Sequence, residues 1–277
     1  MSLKRIFFLC FFIGSLSFGF SQTKVMSFNI RYDNKNDGDN WWNLRKIDVA
    51  NQIAYYHPDF IGIQEALVQQ LNYLDQQLKE YSYVGVGRDD GKEKGEFSPI
   101  FYNEQLYGLL KMKTLWLSET PEKVSVGWDA SMERIVTYGA FLHKKTGDTI
   151  HVFNAHFDHI GSIARENSAK LIVKKIAEFG LESNKTIVMG DFNSEPNEAP
   201  ILVFKNALDD AQELAETKFY GPVGTFNGFD TSKVIEKRID YIFTKNMKVK
   251  SYRHIDDRRS NNLFVSDHLA VFAELDF

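Results

Sequence analysis

Short apolar runs recur along the chain and alternate with longer stretches in which apolar residues return every three or four positions. The short runs predict strands at 24–30, 60–64, 98–102, 150–154, 186–189, 239–243 and 269–275, several of them apolar enough to be buried on both faces. The longer stretches predict helices. Ile47, Ala50, Ile53 and Ala54 share a face over 45–56, Leu67, Leu71, Leu74 and Leu78 do so over 66–78, and a third helix spans 165–179. Glycine-bearing stretches at 37–40, 88–95 and 220–230 predict loops, which on such scaffolds tend to carry the substrate contacts. Strands and helices interleave from start to end without a linker or internal repeat, so one α/β domain over 22–277 is the simplest account.

The first 21 residues break this pattern. Lys4-Arg5 precede an uncharged apolar stretch, and Gly19 and Ser21 follow as small residues, the arrangement of a secretory signal peptide at 1–21. The apolar stretch is shorter than the roughly 20 residues of a spanning helix, which argues against an uncleaved anchor. The expectation is a chain exported to the periplasm or the exterior, with no stable membrane span after processing. Cys10, the one cysteine, would leave with the peptide, removing disulfides and thiol nucleophiles from consideration. Loss of Lys4 and Arg5 would also take the formal charge from −4 to −6. That balance gives no net pull on nucleic acid, and the densest basic cluster, 253–259, is interrupted by Asp256-Asp257.

Candidate chemistry sits where strands end. Ser27-Phe28-Asn29, Ile63-Gln64-Glu65, Asn154-Ala155-His156, Gly190-Asp191-Phe192-Asn193 and Ser266-Asp267-His268 each close an apolar run with oxygen- or imidazole-bearing side chains. Arg238-Ile239-Asp240-Tyr241 places a carboxylate just inside another strand. Taken singly, such residues are caps or turn formers. As a set brought together by one sheet rim, they form the carboxylate and amide cluster that a hard ion such as Mg²⁺ prefers. No HExxH, GxSxG, Walker loop or calcium loop is present, and with no mature cysteine a zinc site is not evident.

The segments SFNIR, IGIQEAL, NAHFD, MGDFNSEP, RIDYIF and SDHLAV occur in this order between residues 27 and 271. Their order and content resemble the endonuclease/exonuclease/phosphatase, or DNase I-like, superfamily of metal-dependent phosphoesterases. HFDHIGSIARENSAKLI, EFSPIFY and WDASMERI further resemble exported bacterial members near the deadenylase-like branch. The resemblance implies a four-layer α-β-β-α sandwich of two mixed β-sheets flanked by helices, with the active site at one end of the sheets.

Carried over by position, the resemblance implies Glu65 and Asp267 as metal ligands and Asn29 beside metal and phosphate. It implies Asp191 and Asn193 as the pair that handles water and phosphate oxygen, His268 as the catalytic imidazole and Asp240 as the carboxylate that orients it. His156 matches a further site position. Repair nucleases carry Asp where this chain has Arg31, and a TFHGF element has become TFNGF, with Asn227 in place of His. The basic residues Arg31, Arg45, Arg134 and Arg165 lie near the motifs, and Arg134 and Arg165 are the candidates for substrate contact. Trp41, Trp42, Trp116 and Trp128 are candidate stacking residues for a base or sugar.

The resulting expectation is an exported hydrolase of phosphodiesters or phosphomonoesters that uses one or two Mg²⁺ ions, with Mn²⁺ as a substitute, and in-line attack by water. Its substrate would be a small molecule, a lipid headgroup or a sugar phosphate. A secreted nuclease acting on nucleic acid and an inactive binding protein on the same fold are the alternatives, because fold alone does not choose a substrate.

Overall fold

Alternation of side chains along each strand sets the layering. A computed structural model describes residues 22–277, and the expected signal peptide at 1–21 lies outside the described residues. In β1 (Gln22–Asn29), Met26 and Phe28 face one way and Val25 the other. Met26 and Phe28 join Ile61 and Ile63 of β2 (Phe60–Gln64) against α1 (Trp42–Tyr56) and α2 (Val68–Gln77). Val25 and Phe60 instead meet Val152 of β7 (Thr149–His156) and Ile187 and Met189 of β8 (Lys185–Asp191) between the sheets. The opposite face of the second sheet, with Phe153, Val188 and Phe243, is covered by α3 (Ser162–Glu178) and α4 (Ala199–Lys205). Period-two burial on both sheets thus gives four layers, helix, sheet, sheet, helix.

The first sheet also contains β3 (Tyr81–Val84), β4 (Ile100–Asn103), β11 (Lys248–Ile255) and β12 (Ala270–Asp276), in the order β11-β12-β1-β2-β4-β3. The second adds β5 (Tyr107–Trp116), β6 (Ile135–His143), β9 (Asp209–Asp210) and β10 (Asp240–Lys245), in the order β5-β6-β7-β8-β10-β9. Both sheets are mixed in the same way: a central parallel pair, β1 with β2 and β7 with β8, is flanked by antiparallel strands. A polar bridge ties the sheets near one end, where Gln64 Nε2 donates to Asn154 Oδ1 at 2.7 Å and Asn154 Nδ2 donates to the carbonyls of Ile63 and Pro99. Among the described residues no helix is long and apolar enough to cross a membrane.

All seven expected strands and three expected helices are present, with ends shifted by a few residues. The buried stripe of α1 differs from the expected one. Ile47 and Ala54 face solvent, while Trp42, Arg45, Val49, Ala50, Gln52 and Ile53 are inside. Arg45 turns the helix: its guanidinium is fully buried and donates to the carbonyls of Ile30, Arg31, Asn40 and Val265. Arg45 is therefore a structural anchor. Strands β3, β5, β6, β9 and β11 lie outside the expected set; β9 is only two residues long, and β5 and β11 are sheet edges whose lysines and arginine dilute the apolar pattern.

Candidate active site

The parallel strands β1, β2, β7 and β8 end at one rim, and the antiparallel β10 and β12 begin there. Register then brings the candidate residues together: Asn29 pairs with Gln64, His156 with Asp191, and Asp191 with Asp240. Gly190 makes the β7–β8 pairing possible. A Cβ there would sit 2.0 Å from the Ala155 carbonyl oxygen, at φ +152. This is why the strand ends on Gly before Asp191.

The first and last of these strand ends are built alike. Asn29 Oδ1 accepts from the Arg31 amide at 3.0 Å, and Asp191 Oδ1 accepts from the Asn193 amide at 2.9 Å, the same Asx turn twice. Each turn forces its third residue into the left-handed region, φ 57 for Arg31 and 47 for Asn193, and Glu65 at the end of β2 joins them at 64. Such backbone costs of order 1–3 kcal/mol per residue and persists where surrounding contacts over-determine it.

Asp191 is the centre of the cluster. Its Oδ2 accepts from Asn29 Nδ2 at 2.9 Å and stands 3.5 Å from His156 Nε2 and 3.7 Å from His268 Nε2. His268 Nδ1 meets Asp240 Oδ2 at 2.9 Å, and Asn193 Nδ2 reaches both His156 Nε2 at 3.2 Å and the Phe157 carbonyl. Asn29 Nδ2 also donates to Glu65 Oε1 at 3.0 Å.

Neighbouring charge separates the two buried imidazoles. Desolvation, followed by the charges of Arg134 and Arg88, holds His156 well below the ordinary imidazole pKa, so it is neutral at pH 7. Burial also opposes charge on His268, but Asp240 and Asp191 outweigh it and hold its pKa well above the ordinary value. Asp191 is pushed up to about 7, first by burial and then by Asp240, against His268 and Asn29. Opposed protonation of neighbouring groups is the arrangement that acid and base chemistry needs.

Two sets of side chains bear on a divalent ion. The ligand atoms of Asp191, Asp240 and His268 lie within 4.8 Å of one another, a buried group that could hold a metal ion. There, however, the hydrogen bond between Asp240 and His268 uses atoms that an ion would take. Glu65 and Asp267 offer oxygen alone, which suits Mg²⁺. Burial raises the Asp267 pKa and Glu65 adds to it, against His268 and Arg31, so this pair carries charge that a cation would relieve. The donor set therefore fits the ion that the motifs imply. Asn29 presents its N–H to Glu65 and Asp191 while its oxygen is taken by Arg31. In this arrangement it organises the carboxylates and its oxygen does not face an ion.

Glu65, His156, Asp191, Asn193, Asp267 and His268 line a cleft of about 730 Å³, with Asn29 and Asp240 buried behind them, and the lining also contains Arg31, Tyr32, Arg88, Glu96, Arg134, His159, Glu195, Glu198, Phe226 and Lys237. Arg134 is inside it, 4% exposed, bonded to His159 Nδ1 at 2.9 Å and Asp158 at 3.4 Å. Arg165 is not among the lining residues. Its Nη1 donates to the Asp158 carbonyl, which ties it to the loop before α3. None of the four tryptophans lines the cleft either: Trp42 is buried, Trp41 donates to Asp33, Trp116 donates to the Arg88 carbonyl, and the Trp128 amide donates to Glu119. Asn227 is a loop anchor, its amide donating to the Ser266 carbonyl and its oxygen accepting from the Phe229 amide.

Sequence reasoning did not single out Arg88, Glu96, His159, Phe226 or Lys237. Arg88 and Glu96 form a bidentate pair at 2.8 and 3.1 Å behind His156, and burial, opposed by Arg88, raises Glu96 to about 7. The signal was present in the EFSPIFY segment and the loop before it, but which of their charged residues face the cleft is set by β4 packing. Phe226 bridges to His268 across the strand, with the two rings 5.0 Å apart.

The profile of the Endonuclease/Exonuclease/phosphatase family matches residues 26–268. Among solved structures, a mannosyl-6-phosphatase of Bacteroides thetaiotaomicron is 38% identical, covers 92% of this chain and 100% of its own, and superposes with a TM-score of 0.88. An endonuclease/exonuclease/phosphatase family protein of the same organism is also 38% identical, with 94% and 99% covered and a TM-score of 0.89. An uncharacterised protein of Acanthamoeba polyphaga mimivirus is 30% identical over 164 residues, 56% of this chain. The match spans 60% of that relative's length.

Proposed function

This chain belongs to the endonuclease/exonuclease/phosphatase family, and from that premise we propose that it is an exported, divalent-metal-dependent phosphoric ester hydrolase acting on a small sugar phosphate. The observation that carries the reaction is Asp191 held between a neutral His156 and a charged His268. Support for the substrate class comes from the cleft, whose lining is mostly charged and holds none of the tryptophans, and from the mannosyl-6-phosphatase similarity. Export rests on the pattern of residues 1–21 alone.

In this reading the phosphoryl group lies in the cleft between Asn193 and His268. Asp191 Oδ2 accepts a proton from water as the water oxygen bonds to phosphorus and the ester P–O bond breaks, and the released alkoxide takes up that proton through solvent in the cleft to leave as the alcohol, which returns Asp191 to its starting state. Asn193, at the cleft wall, would meet a phosphoryl oxygen, and Asn29, whose two N–H groups go to Glu65 and Asp191, holds those carboxylates in place. His268, kept protonated by Asp240, stabilises the charge that develops on the phosphoryl oxygens. Glu65 and Asp267 would hold the divalent ion, which supplies positive charge against the non-bridging and leaving oxygens when bound.

The test is phosphate release from a panel of hexose phosphates, nucleotides, phosphodiesters and single-stranded DNA, with and without Mg²⁺ and chelator. Selective, chelator-sensitive release from hexose phosphates, lost in Asp191→Ala and His268→Ala, is expected. Cleavage confined to DNA would overturn the substrate class, and full activity in chelator would overturn the metal dependence.

A further inference from the structure

Three carboxylates converge on one guanidinium at the edge of the cleft. Arg31 Nε lies 3.1 Å from Asp37 Oδ2 and 3.8 Å from Asp267 Oδ2, Nη2 lies 3.4 Å from Asp37 Oδ1, and Nη1 lies 3.8 Å from Glu65 Oε2. Only the contacts with Asp37 are within hydrogen-bond range. Asp37 is thus the anchor, while Glu65 and Asp267 share the charge across a wider gap. Asn34 Nδ2 donates to Asp37 at 2.9 Å and holds the anchor in place.

Nothing about this placement is loose. The Arg31 backbone is left-handed and pinned on both sides, its amide to Asn29 Oδ1 and its carbonyl to Arg45 Nη2 and Gln70 Nε2, both at 2.9 Å. The guanidinium lies 4.4 Å over the Tyr32 ring. A strained backbone held by the buried Arg45 and Gln70 sends a permanent cation between the two carboxylates best suited to a metal.

Charge then limits what else the cluster can hold. Asp37, Glu65, Asp267 and Arg31 together carry a formal charge of −2, which one divalent ion cancels. A second would leave a surplus of positive charge in a largely enclosed place, where desolvation makes unbalanced charge costly. We propose that Arg31 sets the metal stoichiometry of the site at one: its guanidinium, anchored by Asp37, takes the charge and space a second divalent ion would need. This rests on the metal-dependent reading above.

The experiment counts Mn²⁺ bound to the chelator-stripped protein, using electron paramagnetic resonance for free ion and calorimetry for affinity. One ion per wild-type chain, one for Arg31→Lys and two for Arg31→Met are expected, on variants whose circular dichroism matches the wild type. Arg31→Gln, which keeps an N–H donor toward Asp37, stands in for Arg31→Met if the latter does not fold. Two ions on the wild type with affinities within tenfold, or a single ion on the charge-removing variant, would overturn the proposal while leaving metal dependence intact. No Mn²⁺ binding at all would overturn both.

Discussion

The Asp240 carboxylate and the His268 imidazole meet at 2.9 Å through Oδ2 and Nδ1, both buried, with the other imidazole nitrogen turned toward Asp191. Removing the carboxylate's charge while keeping its shape isolates what the pair does. Asp240→Asn is expected to lower kcat by about a hundredfold or more, the range in which positioned proton-transfer groups act, with little change in KM. Steady-state kinetics alongside circular dichroism tests this. A kcat within threefold of wild type in a folded variant would remove Asp240 from the mechanism.

Phe226 and Lys237 flank the cleft next to His268, and the backbones of 225–226 pair with the Lys237 carbonyl. Phe226 is 38% exposed, an apolar face available to the ring of a sugar. Phe226→Ala and Lys237→Ala are each expected to raise KM for a hexose phosphate about tenfold, a loss of roughly 1.4 kcal/mol of binding, and to leave kcat within threefold. Unchanged KM in both would place the sugar elsewhere in the cleft.

His254 provides a pH test of stability outside the cleft. Burial lowers its pKa from 6.5 to about 4, opposed by the Pro222 carbonyl and reinforced by Arg238, with Asp240 also facing it and the Tyr252 hydroxyl at 3.3 Å. Above pH 6.5 the imidazole is neutral whether folded or unfolded, and its full contribution is present. As pH falls from 6.5 toward 4, the unfolded chain binds a proton that the folded chain resists, and about 3 kcal/mol of stability is lost. Urea denaturation between pH 4 and 7 should show a shallower loss in His254→Gln than in wild type. Parallel profiles would show that His254 does not carry this dependence.

Gly190→Ala is expected to destabilise the protein by about 3 kcal/mol, since the new methyl group would meet the Ala155 carbonyl where β7 and β8 run side by side. A chemical denaturation midpoint close to wild type would mean that the strands can separate there without cost. Activity should fall with stability, because the same pairing sets His156 against Asp191.

Much of this site was legible in the chain itself. The alternation of apolar runs specified the central strands and three helices, and polar residues closing those runs pointed to Asn29, Glu65, Asp191, Asn193, Asp240, Asp267 and His268, all of which lie at one rim. Local pattern suffices there because a strand must hide its apolar face, and where it stops the next residues are free to be polar. Tertiary structure alone decided which cations face the ligand. Arg31, Arg45, Arg134 and Arg165 look alike in sequence, yet Arg31 is clamped by Asp37 beside the carboxylates, Arg45 is spent on four backbone carbonyls, Arg134 enters the cleft and Arg165 turns away to the Asp158 carbonyl. The partner of a long charged side chain is chosen by groups distant in the chain, and the opposed protonation of His156 and His268 follows from the same cause: burial acts on both, but Arg134 and Arg88 add to it at His156 while Asp240 and Asp191 outweigh it at His268.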